Sequence, residues 1–219
     1  MNRGVESSFF VLHSFAMETQ YKRIILENLR RAFQDSREDL QQHLPARGEQ
    51  GLYRLRAFGE DCVMGPEGIL LGGTPETGPK GVVISLYAMR ANASPLELMP
   101  LRSFKDLPGS MPYQGAFTAN AERPLIPHVR TIRDRAKILL AAFDGEENPA
   151  GAAGDFSLLL HPLPKVALCY VFYMEDEEFP PSAACLFSVN ALSFLPMDGL
   201  ADVAEYTTRT ILHLLQEGS

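Results

Sequence analysis

The chain has 219 residues, 46% of them hydrophobic and 21% charged, which is enough for one hydrophobic core and argues against extensive disorder. Its formal net charge of −7 argues against nucleic acid or an anionic membrane surface as a bulk electrostatic partner. No run approaches the roughly 20 apolar residues that a membrane-spanning helix needs. The three cysteines are widely spaced and form no CxxC pair, which is typical of reduced thiols in a cytoplasm.

The N-terminal segment over residues 8–17 is apolar and superficially resembles a secretory signal. His13 interrupts it, and no A-x-A-like cleavage site precedes the charged residues that follow, so we exclude export and expect a cytoplasmic protein. Met17 is an alternative start to the first residue. We therefore predict a poorly ordered extension over residues 1–17 and a single domain over residues 18–219.

Hydrophobic periodicity and breaking residues divide most of the chain into short elements. Apolar residues at helical spacing predict an amphipathic helix over 18–44, which Pro45 ends. The elements predicted next are strands at 51–58, 61–64 and 68–71, a helix at 82–91, a loop at 94–114, helices at 113–122 and 124–143, and a surface linker at 145–155.

The last third of the chain gives the clearest pattern. A strand at 156–161 precedes two β-forming runs, at 165–173 and 184–189, and a closing helix begins with Asp198 as a possible N-cap. The order of helices and strands predicts an α+β fold in which helices pack mainly on one face of an antiparallel sheet. If the two runs pair as a symmetric hairpin, Cys169 and Cys185 face each other. A pair of buried structural thiols is favoured over a redox switch, because free cysteine usually behaves as a small hydrophobic residue.

Several short motifs resemble functional sites without meeting their requirements. The segment at 73–80 resembles a phosphate loop, but Pro79 removes a backbone donor and separates the glycine from the lysine. The five histidines show no metal-binding spacing, and His161, at a strand end, is the least ordinary of them. Arg130, Arg133 and Lys137 form a basic helical face, for which a solvated surface is favoured over an anion site.

Four adjacent carboxylates, Glu175 to Glu178, lie between the two β-forming runs. Strand alternation places Asp176 and Glu178 on one side of the hairpin, where two carboxylates could hold a divalent metal or act as an acid–base couple. The simpler interpretation is a charged, solvated turn, with Phe179 tucked back into the core and the following prolines rigidifying the return.

The same region carries a family resemblance. Its residues are Asp176-Glu177-Glu178-Phe179-Pro180, Leu186-Phe187 and Leu195-Pro196, with Ser103-Phe104, Leu107-Pro108-Gly109, Tyr113, Phe117 and Leu163-Pro164 upstream. Over residues 18–216 the chain resembles the bacterial and archaeal family of domain of unknown function 3786. Ser188 stands where that family has an acidic residue, and Phe172 or Tyr173 replaces a usual tryptophan.

The resemblance implies a setting in anaerobic metabolism, since some relatives are joined to an iron–sulfur domain like that of corrinoid proteins. This chain lacks such a cysteine set, so any cluster would belong to a partner. Whether the chain binds a cofactor of its own stays open at this point.

Two functional hypotheses remain. The first is a non-catalytic accessory domain that binds a small molecule or a protein partner, without nucleic acid or membrane, through the loop-rich surface near 103–117 and the acidic hairpin. The second is a metal-dependent enzyme that uses Asp176 and Glu178, with Tyr113 or His161 as a proton-transfer group. Whether the protein is an enzyme stays open at this point.

Overall fold

The computed structural model describes residues 4–34, 40 and 43–217, and for residues 4–16 the backbone alone. The α-helices are α1 (Gly4–Gln34), α2 (Pro79–Met89), α3 (Gln114–Phe117), α4 (Val129–Asp134), α5 (Ala136–Ala142) and α6 (Met197–Gln216). The strands are β1 (Arg47–Glu49), β2 (Leu52–Ala57), β3 (Glu60–Gly65), β4 (Gly68–Leu71), β5 (Thr74–Pro75), β6 (Arg102–Ser103), β7 (Glu146–Glu147), β8 (Phe156–Leu163), β9 (Val166–Tyr173) and β10 (Ser182–Phe187). No helix in the described part of the chain is both long and apolar enough to cross a membrane.

The first sheet is an antiparallel meander of β1 to β5 in chain order. Alternation along β2 buries Tyr53, Leu55 and Ala57 on the inner face, while the residues between them point outward. Val63 lies opposite both Arg54 and Leu70, so the outer face of the meander is continuous across three strands. The predicted strands of this region are confirmed, and the structure adds a short strand at each edge.

The second sheet has the order β6-β10-β9-β8-β7 and is also antiparallel. Its central strands, β8 and β9, are buried along almost their whole length. One face packs into the main core through Leu158, Leu160 and Tyr170. The α+β fold is therefore confirmed, with the antiparallel strands divided between two sheets.

The opposite face of the second sheet is covered by a loop instead of a helix. Apolar side chains of the loop at 92–101 pack on a small buried cluster, which consists of Leu159, Ala167, Cys169 and Val171. The Lys165 ammonium holds the loop by donating to the carbonyl oxygens of Asn92 (2.8 Å) and Ser94 (3.0 Å). Helices therefore lie mainly on one side of this sheet, as predicted from the chain order.

Helices α1, α2 and α6 contribute buried side chains to the main core. Ile25 and Leu29 of α1 are buried, and α1 packs along α2. Helix α1 begins at Gly4, whereas the sequence predicted a helix that starts at residue 18. The parts of that predicted helix at 35–39 and 41–42 lie outside the described residues. The α6 N-cap is Pro196, so Asp198 lies in the first turn, where it accepts a hydrogen bond from the Gly199 amide (2.9 Å).

The helical region between the sheets is more broken than predicted. The predicted helices at 113–122 and 124–143 become a 3₁₀ turn, α3, a π-helix at Thr118–Glu122, a 3₁₀ segment at Arg123–His128, α4 and α5. Pro127 lies inside the 3₁₀ segment, where its missing N–H disfavours α-helical bonding.

The two sheets meet where the end of β2 approaches the end of β8. The Phe58 amide donates to the Pro162 carbonyl oxygen at 2.7 Å. Phe58 is fully buried and has a positive φ of 50°, which turns the chain sharply after β2. This junction places the side chains of β2 beside those of β8.

The predicted facing of Cys169 and Cys185 is wrong. Cys185 lies opposite Tyr170, and Cys169 lies opposite Leu186, so the real register differs by one residue. Because successive strand residues point to opposite faces, Cys185 lies in the main core and Cys169 in the cluster under the loop. Burial raises the pKa of the Cys169 thiol to about 11 and that of Cys185 well above its ordinary value, so both stay protonated.

Candidate functional site

The acidic tip, defined here as residues 174–181, connects β9 to β10 and lies outside both strands. Ser182 pairs with Tyr173 at the base of the tip. Strand alternation therefore stops before Asp176, and the predicted placement of Asp176 and Glu178 on one side of a hairpin does not apply.

Asp176 organises the tip. Its Oδ1 accepts hydrogen bonds from the backbone amides of Glu178 (2.8 Å) and Phe179 (2.7 Å). Its own amide donates to the Phe179 carbonyl oxygen at 3.1 Å. A carboxylate that closes a local turn in this way has a structural role and has fewer lone pairs left for a metal.

Phe179 does not tuck back into the core, so that prediction is wrong. Its side chain is 64% exposed, among the most exposed of the large apolar residues described. The Asp176 turn directs it outward, and Pro180 and Pro181 restrict the backbone that follows. The tip therefore combines an exposed ring with exposed carboxylates at Glu175, Glu177 and Glu178.

The other predicted site residues lie elsewhere. His161 is on β8, whose Phe156 pairs with Phe172 next to the tip, so His161 lies roughly 17 Å further along the strand, at five residues of about 3.4 Å each. Tyr113 ends a 3₁₀ turn before α3 and is 40% exposed. Within the described residues, neither side chain forms a hydrogen bond or ion pair with the tip. The structure thus places Asp176 and Glu178 in one short loop, His161 well away from it along β8, and Tyr113 on a different element.

His161 lies in a small hollow at the junction of the two sheets. The hollow measures about 250 Å³ and is lined by Pro45, Arg56, Asp144, His161 and Pro164. Burial lowers the pKa of the imidazole, although the charges of Asp144 and Glu146 oppose this effect. The ring is therefore neutral at pH 7.

The described residues contain no group of three or more His, Cys, Asp or Glu side chains arranged to hold a metal ion. A protein metal site needs several converging ligands, and Asp176 Oδ1 already accepts hydrogen bonds from two backbone amides of the tip.

Sequence reasoning missed a polar chain that joins the helical region to the second sheet. The Gln114 amide donates to Thr118 Oγ1 (3.1 Å), which donates to the Glu122 carboxylate (3.0 Å). The other oxygen of Glu122 accepts from the Cys185 amide at 3.2 Å. The i, i+4, i+8 spacing of Gln114, Thr118 and Glu122 in the sequence could have indicated these hydrogen bonds. They connect the loop-rich surface near Tyr113 to strand β10.

Sequence reasoning also missed the basic side chains of the meander. Arg54 and Arg56 alternate along β2, and Arg47 lies directly opposite Arg54. Of the basic face predicted on the helices, Arg130 and Arg133 lie on α4 and Lys137 on α5, because the helix breaks at Arg135. Arg135 itself donates to the carbonyl oxygens of Leu214 and Leu215 at the end of α6.

The class of the protein is an α+β domain with an exposed acidic loop between two strands of its second sheet. The chain belongs to the family described as domain of unknown function (DUF3786), whose model matches residues 35–210. The match includes both sheets, the acidic tip and every predicted site residue. No curated protein and no solved structure matches the chain.

Proposed function

We propose that the protein is a non-catalytic accessory domain that binds a protein partner through the acidic tip, with Phe179 as the anchor. One observation carries the proposal: a large aromatic side chain is 64% exposed although the backbone around it is fixed by hydrogen bonds to Asp176. Exposed phenylalanine is costly to hydrate, so a fixed and outward Phe179 favours contact with another surface.

Pre-organisation supports this role. The Asp176 turn and the two prolines restrict the backbone of the tip before a partner arrives. Binding then loses less conformational entropy than it would with a flexible loop. A buried aromatic anchor also supplies a large part of the free energy in many protein interfaces.

The charge of the tip indicates the chemistry of the partner. Glu175, Glu177 and Glu178 are exposed around Phe179. Such a rim attracts a lysine- and arginine-rich surface, while the ring needs an apolar pocket within it. The overall charge of −7 supports a protein over nucleic acid. A cytoplasmic setting in anaerobic metabolism, which the sequence and the family resemblance suggest, belongs to the same proposal.

The competing hypothesis is a metal-dependent enzyme at Asp176 and Glu178. It requires that magnesium, manganese, calcium or zinc raise the melting temperature of the purified protein, because a ligand that binds only the folded state stabilises it. We expect no rise, since Asp176 Oδ1 already accepts two backbone amides. A rise that Asp176→Asn and Glu178→Gln abolish would favour the enzyme.

Site-specific cross-linking tests the proposed function. A photoreactive phenylalanine analogue is placed at position 179 and, as a control, at position 67 in an exposed turn of the meander. Both proteins are irradiated in cells of the native source. We expect position 179 alone to capture one protein, through a peptide rich in lysine or arginine.

The charge dependence of this capture provides the second readout. Glu175→Gln, Glu177→Gln and Glu178→Gln together should lower the yield, because the electrostatic attraction is lost while Asp176 still closes the turn. Equal capture from positions 179 and 67, or an unchanged yield from the neutralised tip, would contradict the proposal.

A further inference from the structure

Three arginines lie on the outer face of the first sheet. Arg47 of β1 is directly opposite Arg54 of β2, and Arg56 lies two residues further along β2 on the same face. Directly opposite residues have Cβ atoms about 5 Å apart, so the Arg47 and Arg54 side chains extend from neighbouring positions. This set is here called the arginine face.

Like charges at directly opposite strand positions destabilise a sheet unless something negative lies between them. Among the described residues, Arg47 and Arg54 form no hydrogen bond or ion pair through their side chains, whereas Arg56 contacts Asp61 (3.2 Å) and Asp144 (3.8 Å). Two guanidinium groups without a described counter-charge, in a chain with excess acid, point to an anion supplied from outside.

The arginine face borders a hollow of about 820 Å³ between β2 and the segment that precedes β1. Its lining consists of Leu44, Pro45, Ala46, Arg47, Arg54, Leu55, Arg56 and Asp61. Pro45 and Arg56 also line the 250 Å³ hollow that contains His161, so the two hollows adjoin at the sheet junction. Together they give a concave, partly apolar surface with positive charge on one side.

Arg56 is fixed at the point where the hollows meet. Its Nη2 donates to the carbonyl oxygens of Gly59 (2.8 Å) and Ala142 (2.7 Å), the latter in the last turn of α5. Its Nε is buried and lies 3.8 Å from Asp144 Oδ2, without a closer hydrogen-bond partner among the described residues. Arg56 is therefore held in place by its own contacts, and Arg47 and Arg54 are the arginines available to an external anion.

We propose that the arginine face binds a small oxyanion, a molecule that carries a phosphate or carboxylate group. Arg47 and Arg54 supply paired guanidinium donors, whose planar geometry matches such oxygens. Arg56 lies at the inner end of the site, with the neutral His161 beyond it. Asp61 and Asp144 contact only Arg56 among the three arginines. They reduce the net positive charge near Arg56 and, within the described part of the chain, leave Arg47 and Arg54 unpaired.

Direct binding tests the proposal and distinguishes the two chemical sources. Inorganic phosphate and citrate are titrated into the purified protein by calorimetry at constant ionic strength, with chloride as the balancing salt. We expect saturable binding of at least one of them, and the preferred anion identifies phosphate or polycarboxylate chemistry. The absence of saturable binding for both anions would overturn the proposal.

Matched variants locate the site. Arg47→Gln and Arg54→Gln are each expected to weaken binding at least tenfold, since each removes charge-assisted hydrogen bonds. Arg130→Gln, an exposed arginine on α4, provides the control with the same change in charge. Unchanged binding in Arg47→Gln and Arg54→Gln, or equal loss in Arg130→Gln, would show that no specific site exists. Unfolding measurements with each variant confirm that the fold is retained.

Discussion

At the scale of single residues, Phe172 and Phe179 show how position decides the role of one side-chain type. Phe172 is on β9 and is 0% exposed, stacked on Phe156 with ring centroids 4.8 Å apart. Phe179, seven residues later, is 64% exposed. The first contributes to the core and the second is available for contact.

This difference predicts opposite effects of the same substitution. Phe172→Ala should lower the free energy of unfolding by about 3–5 kcal/mol, because it removes a packed ring and leaves a cavity. Phe179→Ala should change it by less than about 0.5 kcal/mol, as exposed substitutions do. Urea unfolding of both variants checks the prediction. A large loss in Phe179→Ala would mean that the ring is packed in the core after all.

Asp202 on α6 provides a pH-dependent test. Partial desolvation of its carboxyl raises the pKa from 3.8 to about 6, although the residue as a whole is exposed, and the charges of Glu205 and Asp198 add to this effect. A carboxyl whose pKa is raised in the folded state favours folding below pH 4, and that contribution is lost as pH rises through 6. The ionised Asp202 is therefore destabilising at neutral pH.

We expect Asp202→Asn to raise the free energy of unfolding at pH 7.5 by about 1 kcal/mol, a figure that allows for solvent screening at an exposed position. At pH 3, below the ordinary pKa of 3.8, the variant and the wild type should have nearly equal stability. Glu67→Gln, with the same change in charge at an exposed turn, is the control. A gain for Asp202→Asn that is equal at both pH values would exclude this ionisation as its cause.

At the scale of elements, the loop at 92–101 has the role that a helix often has on a sheet. It covers the cluster around Cys169, and Lys165 holds it through two hydrogen bonds to backbone carbonyls. Lys165 also lies over the Phe194 ring, with the ammonium 5.7 Å from its centroid. The covering of this face therefore depends on a few polar contacts.

Lys165→Met should loosen the loop and expose Cys169 more often. Loss of two hydrogen bonds, each contributing about 1 kcal/mol, should raise the rate of Cys169 modification by a maleimide about tenfold or more. Mass spectrometry assigns the modified cysteine. Cys185, in the main core, should stay unmodified, and Lys137→Met should behave like the wild type. Equal rates at Cys169 in all three proteins would show that Lys165 does not hold the loop.

The elements that sequence predicted correctly depend on local patterns. Alternation at Tyr53, Leu55 and Ala57 predicts β2, and the helical spacing from Leu200 to Leu215 predicts α6, because each pattern is set by residues close in sequence. The strands around the acidic tip were predicted for the same reason.

The features that sequence missed depend on register or on distant contacts. Cys169 and Cys185 point to opposite faces because β9 and β10 pair one residue away from the symmetric register. Phe179 points outward because a turn formed by Asp176, rather than hydrophobicity, sets its direction. Arg47 lies opposite Arg54 because β1 pairs with β2. The sequence did not predict β1, so this juxtaposition could not be predicted either.

At the scale of the whole molecule, one cluster of buried residues includes side chains of both sheets, and the acidic tip and the arginine face lie at different ends of the second sheet. The acidic tip follows the end of β9 that pairs with Phe156, whereas the arginine face adjoins the sheet junction near His161 at the other end of β8. The molecule therefore has two separate surfaces of opposite charge, for which we propose a protein partner and a small anion.

This separation predicts independence. Substitutions more than about 10 Å apart without shared contacts usually act additively. Phe179→Ala should leave the affinity for phosphate or citrate unchanged, and Arg54→Gln should leave cross-linking from position 179 unchanged. Calorimetry and cross-linking yield measure the two effects. A change of more than about threefold in either crossed measurement would show that the surfaces are coupled.

A comparison of two exposed apolar residues tests directly whether Phe179 anchors a protein partner. Wild-type protein, Phe179→Ala and Met111→Ala are immobilised and exposed to extract from the native source, and the protein captured by position 179 is quantified. Met111 is 78% exposed and lies on the loop-rich surface, so it controls for nonspecific hydrophobic binding. We expect at least tenfold lower recovery with Phe179→Ala and full recovery with Met111→Ala. Equal recovery with Phe179→Ala and wild type would contradict this expectation.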